Sequence, residues 1–129
     1  MGKTRKMKVL VVDNEKEFAS TLATRLQLRK IETESVFSGA EALAAIPHFM
    51  PDVIILDLGM PDMTGLEVLS RVKSTDPVIE VILLTGYGSF DAGITGMELG
   101  AFDYLTKPVD LSLLMEKITE AYNKRQGGK

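Results

Sequence analysis

The sequence predicts an α/β fold, a doubly wound five-stranded parallel sheet with five helices. Short apolar β-branched runs recur along the chain, segments of helical periodicity separate them, and the connections are short. Met7 to Val12 is a nearly continuous apolar run, which reads as a strand buried on both faces. Phe18, Leu22 and Leu26 follow at helical spacing. Ile31 to Val36 alternates apolar and polar residues, as an exposed edge strand does. Ser38 and Glu41 have capping-box spacing ahead of Leu43 and Ile46. That helix is expected to end near Pro47, leaving His48 solvated and without a role.

Val53 to Leu56 repeats the buried-strand pattern, and Thr64 with Glu67 opens a third helix carrying Leu66, Leu69 and Val72. Val81 to Leu84 is the fourth strand. The fourth helix, roughly Ser89 to Leu99, shows Ile94 and Met97 as its apolar stripe and stops at Gly100. Gly93 and Gly96 each cost about 1 kcal/mol relative to Ala inside a helix, which predicts the softest element here. Phe102 to Thr106 is a shorter, half-polar strand, and Asp110 caps a fifth helix with Leu111, Leu114, Ile118 and Ala121 inward. Strict β-α alternation with right-handed crossovers then makes the sheet parallel and covers both faces.

The 129 residues are enough for one domain with a sizeable core, expected over residues 1–125. Residues 126–129, Gln-Gly-Gly-Lys, read as a linker or a boundary, because glycines fray a helix. With 15 Lys plus Arg against 18 Asp plus Glu, the net charge of −3 gives no general attraction to phosphate backbones, so direct nucleic-acid binding is not expected. The absence of Cys excludes disulfides, thiolate metal sites and cysteine nucleophiles and suits the cytoplasm. No apolar run reaches the roughly 20 residues of a membrane span, and the basic start has no signal-peptide stretch, so no membrane partner is expected.

Ligands of such sheets gather at the carboxyl ends of the strands near the switch in strand order. Those ends carry Asp13 and Asn14 after the first strand, Asp57 after the third, Thr85 after the fourth and Lys107 after the fifth. Two carboxylates in one site repel unless a cation lies between them, and carboxylate with amide or carbonyl oxygen is the ligand set of a hard divalent ion such as Mg²⁺. A phosphoryl group beside that ion needs a cation and a hydroxyl, which Lys107 and Thr85 supply. Each residue has an ordinary reading too. Asn14 with Glu17 has capping-box spacing, Asp57 to Asp62 is a polar loop, and Thr85 precedes a turn glycine. Lys107 is a surface lysine before Pro108, and Tyr104 is a packed strand aromatic. Convergence of four strand ends favours the site.

The chain resembles the receiver domains of bacterial two-component response regulators in four blocks spanning about Lys8 to Tyr122: Val-Val-Asp13-Asn14-Glu15, Asp57-Leu58-Gly59-Met60-Pro61-Asp62-Met63-Thr64-Gly65, Leu84-Thr85-Gly86-Tyr87 and Phe102-Asp103-Tyr104-Leu105-Thr106-Lys107-Pro108. The resemblance implies a flavodoxin-like topology with strand order 2-1-3-4-5. It implies that Asp57 takes a phosphoryl group from a phosphohistidine of a sensor histidine kinase or phosphotransfer protein. Asp13, Asp57, the Gly59 carbonyl and Asn14 would surround Mg²⁺, and Lys107 and Thr85 would meet phosphoryl oxygens. Tyr104 would turn inward behind Thr85, changing the surface of the fourth helix, fifth strand and fifth helix. An output domain or effector protein, or a phosphorylation-dependent homodimer, would read that surface.

The family usually has a second acid where this chain has Asn14, and an amide oxygen coordinates without charge. Glu15 is one residue further on, an offset expected to point its side chain elsewhere. The alternative is therefore a pseudo-receiver, an interaction module that never accepts phosphate. A flavodoxin-like cofactor binder is disfavoured, because Asn14-Glu15-Lys16-Glu17 has neither the glycines nor the hydroxyls of a phosphate-cradling loop.

Overall fold

The computed structural model describes residues 6–60, 62–86 and 90–127. Pro61, Tyr87, Gly88 and Ser89, the first five residues and Gly128-Lys129 lie outside them. The elements in chain order are β1 (Lys8–Val12), α1 (Lys16–Gln27), β2 (Glu32–Val36), α2 (Gly39–Phe49), β3 (Val53–Asp57), α3 (Gly65–Thr75), β4 (Glu80–Thr85), α4 (Phe90–Glu98), β5 (Asp103–Thr106) and α5 (Leu111–Arg125). The strands are all parallel, in the flavodoxin-like order β2-β1-β3-β4-β5. No described helix is long and apolar enough to cross a membrane.

The period-2 alternation of side chains along a strand divides the core into two layers. Leu10, Ile54, Leu56, Val81 and Leu83 meet Ala42, Ile46, Val68, Leu69 and Val72 of α2 and α3 on one face. Val9, Val11, Ile55, Ile82 and Leu84 meet Leu22 and Leu26 of α1 and Leu114 and Ile118 of α5 on the other. The central strands β1, β3 and β4 therefore have no polar face, and each fully buried aliphatic side chain contributes about 1.5–3 kcal/mol.

Two expectations need correction, and the ordinary reading of Asn14 as a helix cap is not met. The second helix does not stop at Pro47 but runs to Phe49. Pro47 removes one donor, yet Phe49 is buried in the core, and Met50, in the left-handed region at φ 55°, closes the helix with its N–H on the Ile46 carbonyl at 2.8 Å. His48 is exposed, as expected. The first helix is capped at Glu15, not Asn14, and without a side-chain cap bond. In α4 the expected stripe of Ile94 and Met97 is 41% and 39% exposed, and Gly93 and Gly96 are the buried positions. A Cβ on Gly96 would collide with Leu83 Cδ1, and one on Gly93 would stand 2.8 Å from Tyr104 Cδ2. At these two positions the helix thus has room for backbone only.

Candidate functional site at the carboxyl end of the sheet

The ladder of backbone hydrogen bonds runs past the strand ends and positions the polar residues there. Asp13 N–H donates to Val36 O at 3.1 Å, Leu58 N–H to Leu84 O at 3.1 Å and Lys107 N–H to Thr85 O at 2.9 Å. Asp57 closes β3 opposite Leu84, and Thr85 closes β4 opposite Thr106. Asp13, Asp57 and Thr85 are all buried, at 0%, 6% and 1% exposure. Ionisable groups are rarely so enclosed unless paired or functional.

Lys107 Nζ lies 2.8 Å from Asp13 Oδ2, 2.7 Å from Glu15 Oε1 and 3.8 Å from Asp57 Oδ1, and 4.6 Å above the Phe18 ring. Three carboxylates thus share one ammonium, which leaves two negative charges uncompensated. Asp13 Oδ1 accepts from Glu15 N–H at 2.9 Å, whereas buried Oδ2 has no donor aligned for a hydrogen bond. The ammonium beside Oδ2 is therefore a close charge pair and not a directed bond. Asp57 Oδ1 accepts from Gly59 N–H at 3.3 Å.

Burial first, and then the charge of Asp13, raise the Asp57 carboxyl above the usual range; Lys107 and the Gly59 N–H oppose this. Burial pulls Lys107 down, but its contacts with Asp13 and Glu15 and the charges of Asp13 and Asp57 outweigh it and raise the ammonium. The Lys107 hydrogen bond, with its charge, lowers Glu15. The donor set fits a small hard cation: two carboxylates, one with an oxygen that has no directed hydrogen bond, and excess negative charge. Among the described residues no three His, Cys, Asp or Glu are grouped to hold a metal, so further ligands would be the Gly59 carbonyl or the exposed Asn14.

Asp13, Asp57 and Lys107 are brought together, and Thr85 ends the strand beside β3. Tyr104 is half-buried on β5 with its ring against Gly93. Glu15, expected to point its side chain elsewhere, is exposed but joins the site through Lys107. Its extended backbone, φ −82° and ψ 94°, accompanies a side chain that reaches Lys107. Phe18 was legible only as a core-facing residue of the first helix; that its ring lies under an ammonium depends on the β5–α5 loop, 89 positions along the chain.

A family model described as the response regulator receiver domain matches residues 9–119. The chain is 34% identical over 120 residues to the response regulator protein PilR of Pseudomonas aeruginosa, covering 93% of this chain and 27% of PilR. It is 34% identical over 118 residues to the transcriptional regulatory protein PrrA of Mycobacterium bovis, covering 92% of this chain and 51% of PrrA. The chain thus spans about a quarter to a half of these relatives. The crystal structure of a response regulator receiver domain protein from Clostridium thermocellum superposes with a TM-score of 0.89 at 34% identity, covering 93% of this chain and 97% of that one.

Proposed function

The chain belongs to the response regulator receiver domain family of two-component systems, and from that premise we propose that Asp57 accepts a phosphoryl group from the phosphohistidine of a sensor kinase or phosphotransfer protein. The observation that carries this reading is a buried Asp57 beside a buried Asp13, with one ammonium shared among them and Glu15. A carboxylate oxygen of Asp57 attacks phosphorus, the P–N bond breaks, its electron pair leaves with the imidazole nitrogen, and an acyl phosphate forms. Asp13, Asp57, the Gly59 carbonyl and Asn14 are the residues that would hold Mg²⁺. When bound, Mg²⁺ offsets negative charge on the transferring oxygens.

Lys107 then exchanges its carboxylate partners for a phosphoryl oxygen, and the Thr85 hydroxyl donates to another. Tyr104 leaves its seat against Gly93 for the space behind Thr85, which alters the face formed by α4, β5 and α5. An output domain, a separate effector or a second copy reads that face, in the cytoplasm, without DNA contact by this domain, which we take to span residues 1–125. The exposed, uncharged Asn14 favours one second reading, a pseudo-receiver whose metal site is too weak for transfer.

Incubation with acetyl phosphate and Mg²⁺, followed by intact-mass measurement, separates the two. The expected result is one phosphoryl adduct, dependent on Mg²⁺ and lost in Asp57→Asn. No adduct in the wild type, or an undiminished adduct in Asp57→Asn, rejects the proposal.

A further inference from the structure

Two described residues after Asp57, Gly65 and Asp62, are fastened. At one, Gly65 N–H donates to Leu58 O at 3.3 Å, and a Cβ on Gly65 would stand 2.6 Å from the Asp57 carbonyl oxygen, so the chain closes tightly on the acceptor. At the other, Asp62 reaches α2. Its Oδ1 accepts from Gly39 N–H and its Oδ2 from Ala40 N–H, each at 3.2 Å. Ser38 and Glu41 already use the local capping pattern: Ser38 Oγ accepts from Glu41 N–H at 3.1 Å and Glu41 Oε1 from Phe37 N–H at 2.9 Å. The first two amides of α2 are completed by a carboxylate 22 and 23 positions further on.

The approach is close. A Cβ on Gly39 would lie 2.9 Å from Met63 Cβ and 3.0 Å from Val68 Cγ2. Placing an anion at a helix N-terminus is favourable in its own right, and the Gly39 N–H bond holds the Asp62 carboxyl below its ordinary range. Between the two fastenings lies Gly59, whose N–H meets Asp57 Oδ1.

The geometry points to Asp62 as a positioning residue that clamps the acceptor loop to the N-terminus of α2 and thereby fixes the Gly59 carbonyl beside Asp57. The clamp rests on the phospho-acceptor reading for its purpose, not for its existence. α2 places no residue among the carboxylates and Lys107, and Asp62 is its hydrogen-bonded link to the segment after Asp57, beside the packing of Gly39 on Met63 and Val68.

The test compares wild type, Asp62→Ala and Asp62→Asn, whose amide oxygen keeps one of the two bonds, by amide hydrogen exchange and by Mg²⁺ titration. Asp62→Ala should lose protection at both Gly39-Ala40 and Gly59-Gly65. It should weaken Mg²⁺ about three- to tenfold, less than the roughly 10–100-fold typical of residues bonded directly to a metal ligand. Asp62→Asn should be intermediate. Loss of protection confined to Gly39 and Ala40, with Mg²⁺ affinity unchanged, overturns the proposal and leaves Asp62 a helix cap alone. If the wild type takes up neither Mg²⁺ nor phosphoryl, the acceptor reading fails, while exchange at Gly59-Gly65 still decides the clamp.

Discussion

At the amino ends of β3 and β4, Asp52 and Glu80 are as enclosed as Asp13 and Asp57 are at the carboxyl ends of β1 and β3, yet their surroundings differ. Asp52 accepts from Lys8 N–H at 2.9 Å and stands 3.1 Å from Arg125 Nε, and Glu80 lies 3.8 Å from Lys73 Nζ and 3.7 Å from Lys124 Nζ. Two carboxylates there face three cationic side chains. At the other end, among the described residues, three carboxylates face Lys107 alone. Burial without compensation costs stability, so the carboxyl end holds a negative excess that added positive charge would relieve, whereas at the amino end cations outnumber carboxylates even though Glu80 Oε1 and Arg125 Nε lack directed hydrogen bonds.

The largest expected effect separates the two ends by chemistry. Asp57→Asn should abolish phosphoryl acceptance, because an amide has the shape of the carboxylate but is not the nucleophile. Asp52→Ala should leave acceptance intact in the folded protein while lowering stability by about 2–4 kcal/mol, since Lys8 N–H and Arg125 lose a buried partner. Urea unfolding and intact mass on both variants check this; equal loss of adduct in the two would dissolve the distinction.

The same variant sharpens the contrast through pH. The folded carboxyl of Asp57 is raised, so the fold holds its proton more tightly than the unfolded chain, and its ionisation removes stability as pH climbs above the ordinary carboxylate range. Metal-free Asp57→Asn should therefore melt a few degrees above wild type at neutral pH, with the gap closing once Asp57 is protonated in acid. A gap that widens in acid would contradict the assigned direction. Asn14→Asp adds charge to the same end. It should tighten Mg²⁺ severalfold and lower the metal-free melting temperature, and an unchanged dissociation constant in titration would remove Asn14 from the ion's surroundings. The smallest effect belongs to Glu15→Gln, which releases Lys107 from an exposed partner. It should quicken uptake from acetyl phosphate modestly at low salt and not at high salt; a salt-independent change would mean that Glu15 acts otherwise.

Three strand ends were legible because a buried parallel strand announces itself as an unbroken apolar run, and Asp13, Asp57 and Thr85 each stand where such a run stops, whereas Lys107 follows the half-polar β5. The partners of Lys107 were not, since Glu15 and Phe18 meet it across 92 and 89 positions through a loop conformation that no periodicity encodes. The α4 stripe misled for a related reason: Ile94 and Met97 have helical spacing, but Leu83 and Tyr104 occupy the space that side chains on the facing positions would need.

That arrangement has a mechanical consequence. Helices usually lock onto their neighbours because side-chain ridges enter grooves, and sliding one past another means lifting each ridge out. The contacts of α4 at Gly93 and Gly96 offer no ridge, only smooth main chain resting on Leu83 and on the ring of Tyr104. At these two positions the helix rests on the sheet as on a bearing, and turning or removing the Tyr104 ring takes away the surface under Gly93 without a side chain of that residue having to be unpicked.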